Sequence, residues 1–207
     1  MENNLKPLYQ IHLTPKNINL YDFLIKCNEL NIKAVMVSNI YDKYNINTKD
    51  YEEEINSDAF TSVVVEDKPF FKMLELARKL ENAGIKLKRY KIETQVWNCS
   101  EHYLCDNPYF ETHFTVICNS KFFVRTLADK LDLKVSQNAL HENNKYYLTL
   151  RMSITDKDSF EKKVEVCRKV LLDSGVNVVK VMSEAVLHDS DPVHDEIWFN
   201  SPCRPIG

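Results

Sequence analysis

Two short tetrads, Ile11-His12-Leu13-Thr14 and Thr112-His113-Phe114-Thr115, each set a threonine two residues after a histidine. In an extended chain, residues i and i+2 share a face, so each imidazole has a hydroxyl beside it. Imidazole is the side chain whose ordinary titration lies nearest neutral pH. A pair of imidazoles can divide proton transfer: one takes a proton from a nucleophile and the other gives one to a leaving group. Thr14 and Thr115 would then hydrogen-bond the oxygens of a substrate beside each ring. Tyr147 and Arg151 join them as substrate-binding candidates, because both fall on the polar side of the alternating stretch Tyr146–Ser153. A guanidinium is a planar, two-pronged donor suited to phosphate or carboxylate. Arg89 and Lys180 offer further positive charge. The same basic residues could instead pair with Glu93, Glu111 or Glu184 in cross-strand ladders.

Other groupings carry less chemistry. Cys99, His102 and Cys105 form C-x2-H-x2-C, which lacks the second ligand pair of a zinc finger. His188, Asp189, Asp191, His194 and Asp195 crowd one stretch and suit a solvated turn as well as a divalent ion. No metal and no cofactor are expected. The chain has no glycine-rich phosphate loop, no G-x-S-x-G elbow and no cysteine set up as a nucleophile.

The elements that would position the histidines repeat. Leu8–Thr14 and Tyr109–Cys118 alternate as half-buried strands, with His12 and His113 on their polar faces 101 residues apart. Each strand is followed by a helical pattern (LYDFLIKCNELN; KFFVRTLADKLD) and a second strand (IKAVMVSN; LKVSQNAL). The later parts match too. TSVVV leads into FFKMLELARKLENAG and IKLKRYKIET; YYLTLRMS leads into FEKKVEVCRKVLLDSG and VNVVKVMSEA. Gly84 and Gly175 fall where each second helix must end, and glycine suits a left-handed cap there. With one residue of drift, Arg89 matches Lys180 and Glu93 matches Glu184. This pattern predicts an α+β protein of two ferredoxin-like halves, each βαββαβ with an antiparallel sheet and helices on one face. The expected division is 1–98 for the first half, 99–108 for a linker, 109–190 for the second half and 191–207 for an irregular tail. Asn19 is placed to cap the first helix, Pro69 to open the second, and Pro15 to stop the first strand. Residues 39–59 read as a long surface loop. The strand from Ile85 to about Trp97 has no clearly apolar face, so it is expected at an edge or bridging the halves.

At this point the chain resembles the two-histidine phosphoesterases, whose two lobes each supply one His-x-Thr/Ser from a strand. The resemblance covers the two tetrads and, loosely, the duplication. It implies His12 and His113 as acid and base, Thr14 and Thr115 as phosphate ligands, and metal-independent action on a cyclic nucleotide or the phosphate end of a short RNA. Pro15-Lys16 after the first tetrad and Thr112 before the second depart from the apolar surroundings usual in that superfamily. The other expectation is a non-catalytic duplicated module that binds a small ligand or protein through its polar sheet face and tail.

Composition bounds these readings. The 207 residues carry 27 Lys+Arg against 30 Asp+Glu, a net charge of −3, which gives no electrostatic footprint for duplex nucleic acid. No apolar run approaches the roughly 18 residues that a membrane span requires, and the first residues lack the apolar core of a signal peptide. The six cysteines have no framework spacing, so a reducing, cytoplasmic setting is expected.

Overall fold

The structure, a computed structural model, describes residues 7–45, 50–96, 108–140, 144–153 and 157–194. The chain mixes helices and strands. Its elements run β1 (Tyr9–Pro15), α1 (Leu20–Glu29), β2 (Ala34–Asn45), β3 (Asp50–Thr61), β4 (Val63–Val65), α2 (Pro69–Asn82), β5 (Leu87–Gln95), β6 (Tyr109–Ile117), α3 (Lys121–Leu131), β7 (Lys134–Asn138), β8 (Lys145–Ser153), α4 (Lys157–Asp173) and β9 (Asn177–Asp189). The strands hydrogen-bond in the order β3-β2-β7-β8-β6-β9-β5-β1-β4. Among the described residues, no helix is long and apolar enough to cross a membrane.

Two compact units divide the chain. The first takes residues 1–36, 59–110 and 183–191; the second takes 37–58, 111–182 and 192–207. In the first, β1 pairs antiparallel with β4 on one side and β5 on the other, and β5 pairs antiparallel with the end of β9. Helix α2 packs on β1 and β5. Ile11, Leu13, Ile92, Phe23, Cys27, Met73, Ala77 and Leu80 are buried and make up its apolar core. In the second, β7 pairs antiparallel with β2 and β8, and α3 packs on β7. Phe114, Val116, Val124, Ala128, Leu148, Phe160, Cys167 and Leu171 are buried there.

Local chemistry sets the element ends. The Asn19 side chain accepts from the backbone N–H of Tyr21 at 2.9 Å and of Asp22 at 3.5 Å, capping α1. Pro69 opens α2, where its missing N–H costs nothing. Ser120 caps α3 through the Phe123 N–H at 3.2 Å. Gly84 and Gly175 both take φ +82°, the left-handed turn that ends α2 and α4.

Pro15 ends β1: it is the last residue of the strand, opposite Leu87 and beyond a register shift between Thr14 and Pro15, and a bulge is where a sheet tolerates a residue with no N–H. One local expectation needs correction. Residues 39–59 are not a loop: apart from 46–49, which lie outside the described residues, they belong to β2 and β3. Their Asn, Asp and Glu content argues against a strand locally, but Val37–Ile40 pairs residue by residue with Asn138–Val135, and that ladder overrides propensity. Strand β3 ends the sheet order, where charged sequence is ordinary. Strand β5 takes the second of its two expected places and not an edge: it lies between β1 and β9, one strand from each expected half, and it lacks an apolar face on one side because that side buries ions.

Candidate functional site

In the first unit the β1–β5 register places Gln10 opposite Glu93, His12 opposite Lys91 and Thr14 opposite Arg89. These six side chains share the face away from Ile11, Leu13 and Ile92. On β9, Asp189 lies opposite Lys91, past a bulge between Ile92 and Glu93. A polar sheet face usually meets water, yet His12 (8 %), Thr14 (3 %), Arg89 (6 %), Lys91 (8 %) and Glu93 (3 %) are all buried. Buried charge is tolerated when it is paired and hydrogen-bonded, and here it is.

The His12 ring is fixed at both nitrogens. Nδ1 lies 2.7 Å from the Thr61 carbonyl oxygen, and Nε2 lies 2.8 Å from Oε2 of Glu93. A carbonyl only accepts, so Nδ1 donates. The Nε2–Oε2 contact therefore contains a second proton, held by the ring or by the carboxyl. The Phe60 ring meets the imidazole edge-on at 4.9 Å between centroids. Thr61 locks the partner strand in place: its hydroxyl donates to the Ile11 carbonyl at 3.1 Å and accepts from the Leu13 N–H at 2.9 Å.

Beyond Glu93 the network continues. The Lys91 ammonium contacts Oε1 of Glu93 and stands 5.5 Å from the centre of the Tyr109 ring. The Tyr109 hydroxyl donates to Oδ2 of Asp189 at 2.6 Å, and Arg89 grips the same carboxylate through Nε at 2.9 Å and Nη2 at 2.6 Å. Burial alone would raise the Asp189 carboxyl. The bonds from Arg89 and Tyr109 and the charges of Arg89 and Lys91 outweigh it and hold the group at about 2.

The second unit has its own cluster. Arg151 forks onto Oε1 of Glu111 through Nε at 2.8 Å and Nη2 at 2.7 Å, and its Nη1 lies 3.5 Å from the Pro192 carbonyl. Nδ1 of His113 lies 3.0 Å from the Thr149 hydroxyl, and its Nε2 lies 3.9 Å from Glu111. Thr115 is buried, and the Lys145 ammonium sits 5.6 Å from the centre of the Tyr147 ring.

This arrangement overturns the phosphodiesterase expectation. Thr14, the expected phosphate ligand, is buried. The Arg151 fork closes on Glu111, the cross-strand partner that the sequence also offered. Arg89 closes on Asp189 and Lys91 on Glu93, so neither is presented as an open phosphate anchor. Nothing supports a nucleotide or RNA partner. The non-catalytic module gains no support either.

Several candidates are dispersed or lie elsewhere. The His188 ring packs on Phe70 at 5.6 Å, Asp189 belongs to Arg89 and Tyr109, and His194 contacts Asp58 at 2.5 Å. Lys180 is exposed. Cys99, His102, Cys105, Asp195 and the rest of the tail lie outside the described residues. Among the described residues, no three His, Cys, Asp or Glu side chains gather as a metal site. Burial pushes the Cys27 thiol up to about 11, and burial also raises that of Cys167, which makes both inert packing groups.

Sequence reasoning missed Lys91, Tyr109 and Thr61, and offered Asp189 only as a ligand for a divalent ion. The signal for Lys91 was present: Arg89, Lys91 and Glu93 recur with period two, and an unbroken charged face on a long strand implies partners. Asp189 is 100 residues from Arg89, and no local pattern joins them.

No protein-family model matches the chain, and no curated protein matches it in sequence. A solved structure of a candidate monooxygenase from Lactobacillus acidophilus NCFM is similar over 87% of this chain and 93% of that chain, with 10% identity and a TM-score of 0.30, a likeness too slight to carry any argument about chemistry.

Proposed function

We propose that the protein is an enzyme that moves a proton on a small uncharged substrate, with His12 as the general acid, whose Nε2–H passes from Glu93 to the substrate oxygen, and Glu93 as the residue that orients it. The observation that carries this reading is the 2.8 Å contact between His12 Nε2 and Glu93 Oε2 on a buried face of paired charges. An imidazole anchored through Nδ1 and partnered through Nε2 by a carboxylate has a fixed orientation, which general acid–base chemistry needs. The His12 side chain keeps 11% of its surface open, and a reacting atom would meet it there. The other charges are paired, Arg89 with Asp189 and Lys91 with Glu93, so the donor offered to a substrate is His12, which suits a neutral carbonyl oxygen. Enolisation, in which His12 protonates the carbonyl oxygen while water takes the proton from the adjacent carbon, is the reaction class that this dyad fits.

The same reading takes the chain as a doubled βαββαβ unit. Two things support it: the order β7-β8-β6-β9 in the later residues is that of a ferredoxin-like sheet, and the order β5-β1-β4 in the earlier ones matches three of its four positions.

The test is deuterium uptake from heavy water into the α-positions of a panel of small aldehydes and ketones, followed by proton NMR. The wild type is expected to accelerate exchange of at least one compound, and His12→Gln to lose roughly a hundredfold of that rate. Exchange unaffected by His12→Gln would sink the assignment.

A further inference from the structure

Resting on that reading of His12, we propose that Tyr109 is a positioning residue: its ring holds Lys91 as an ammonium against Glu93, and through Glu93 keeps the shared proton on Nε2 of His12. Four observations join end to end. The Lys91 Nζ stands 5.5 Å from the Tyr109 ring centre. It contacts Oε1 of Glu93, while Oε2 of the same carboxylate lies 2.8 Å from His12 Nε2. The Tyr109 ring is buried, which seats its face at Lys91 whether or not the hydroxyl is present, and the hydroxyl donates besides to Asp189 at 2.6 Å, which Arg89 holds by two bonds. Lys91, Glu93 and Asp189 keep only 10%, 4% and 2% of their side-chain surface, so water screens these charges little.

The electrostatics run in one direction. An aromatic face attracts a cation and offers nothing comparable to a neutral amine, so the ring selects the ammonium form of Lys91. A fixed positive charge at one carboxylate oxygen favours the ionised carboxylate. An ionised Glu93 accepts at Oε2, and the proton between Oε2 and Nε2 then resides on the ring. Without the aromatic face, a buried ammonium is penalised by desolvation, and the carboxyl can take the proton instead. Tyr109 touches no part of His12 in this chain of contacts. It acts through Lys91 and Glu93.

The test uses the full chain and needs no substrate. Nitrogen-15 NMR of the imidazoles, with the His12 signals assigned by their loss in His12→Gln, reads which ring nitrogens carry protons. Wild type and Tyr109→Phe, which keeps the aromatic face, are expected to show both His12 nitrogens protonated. Tyr109→Leu is expected to lose the Nε2–H signature. Lys91→Met removes the cation itself and is expected to give the same loss, which covers the case in which the leucine variant fails to fold. Retention of the Nε2–H signature in folded Lys91→Met would overturn the proposal. So would the same loss in Tyr109→Phe and Tyr109→Leu, because the hydroxyl and not the ring would then be the cause. A wild type that shows the expected signature but exchanges no substrate proton would refute the proposed reaction and leave this positioning role standing.

Discussion

Asp189 concentrates the energetics of the first unit in one side chain. Its carboxylate takes a two-pronged bond from Arg89 and a third bond from Tyr109, with 2% of its surface exposed. Its folded value of about 2 lies below the ordinary 3.8, so the folded state binds the proton more weakly than the unfolded chain does. Stability from this group is therefore fully present above the ordinary value and is lost as pH falls from about 4 through 2, an amount of about 2 kcal/mol. Asp189→Asn removes that contribution and leaves the Arg89 guanidinium buried without its counter-charge. The expected loss at neutral pH is about 3 kcal/mol. Urea unfolding of both proteins should show the gap narrowing between pH 5 and pH 2. A gap of constant size would mean that Asp189 carries no acid-linked stability. Residues of this kind were the hardest to find in the sequence. His12 and Arg89 stand out by type and alternation, but Asp189 falls among neighbouring histidines and aspartates that suit a solvated turn or a divalent ion. Only the pairing of β9 with β5 brings it to Arg89.

The element ends show the opposite balance, because there the sequence speaks locally. Gly84 and Gly175 both sit at φ +82°, and an added Cβ would meet no atom within 4 Å at either one. Substitution therefore costs only backbone strain. Gly84→Ala and Gly175→Ala should each lower stability by about 1 kcal/mol, and Gly84→Asn by less, since asparagine tolerates the left-handed region. Denaturant midpoints read both, and an alanine variant as stable as the wild type would remove the assigned role. Helix caps, the proline at the start of α2, the glycine ends and all four helices could be read directly, because each depends on residues within one turn. Strands resisted where partners decide. The polar end of β2 and most of β3 looked like a loop because the ladder partners of β2 lie far away in sequence. For β5 an edge and a bridging place both stood open, because a buried charged face resembles an exposed one until its counter-ions are known. The sequence also offered Arg151 to Glu111 in a ladder, and the fork onto Glu111 is what the second unit contains.

Across the whole chain, neither compact unit is a continuous stretch. The first unit includes residues 183–191, and within them Ala185, Val186 and Leu187 are at most 1% exposed. Those residues supply the antiparallel partner of β5 along Lys91–Gln95, together with the Asp189 carboxylate. Residues 1–108 alone would keep β1, β4, α1, α2 and β5 but would lose that strand. The remaining β5 would present an open edge of unpaired backbone groups, next to an Arg89 and a Lys91 stripped of Asp189 and Tyr109. Open edges and unpaired buried charges each destabilise, and the first also invites association. A 1–108 fragment is therefore expected to lack a cooperative thermal transition by circular dichroism and to aggregate, whereas co-expression with 109–207 restores a soluble species that unfolds cooperatively. If 1–108 unfolds on its own with a midpoint close to that of the full chain, then residues 183–191 are dispensable to the first unit, and the buried ionic face does not need its last strand to hold together.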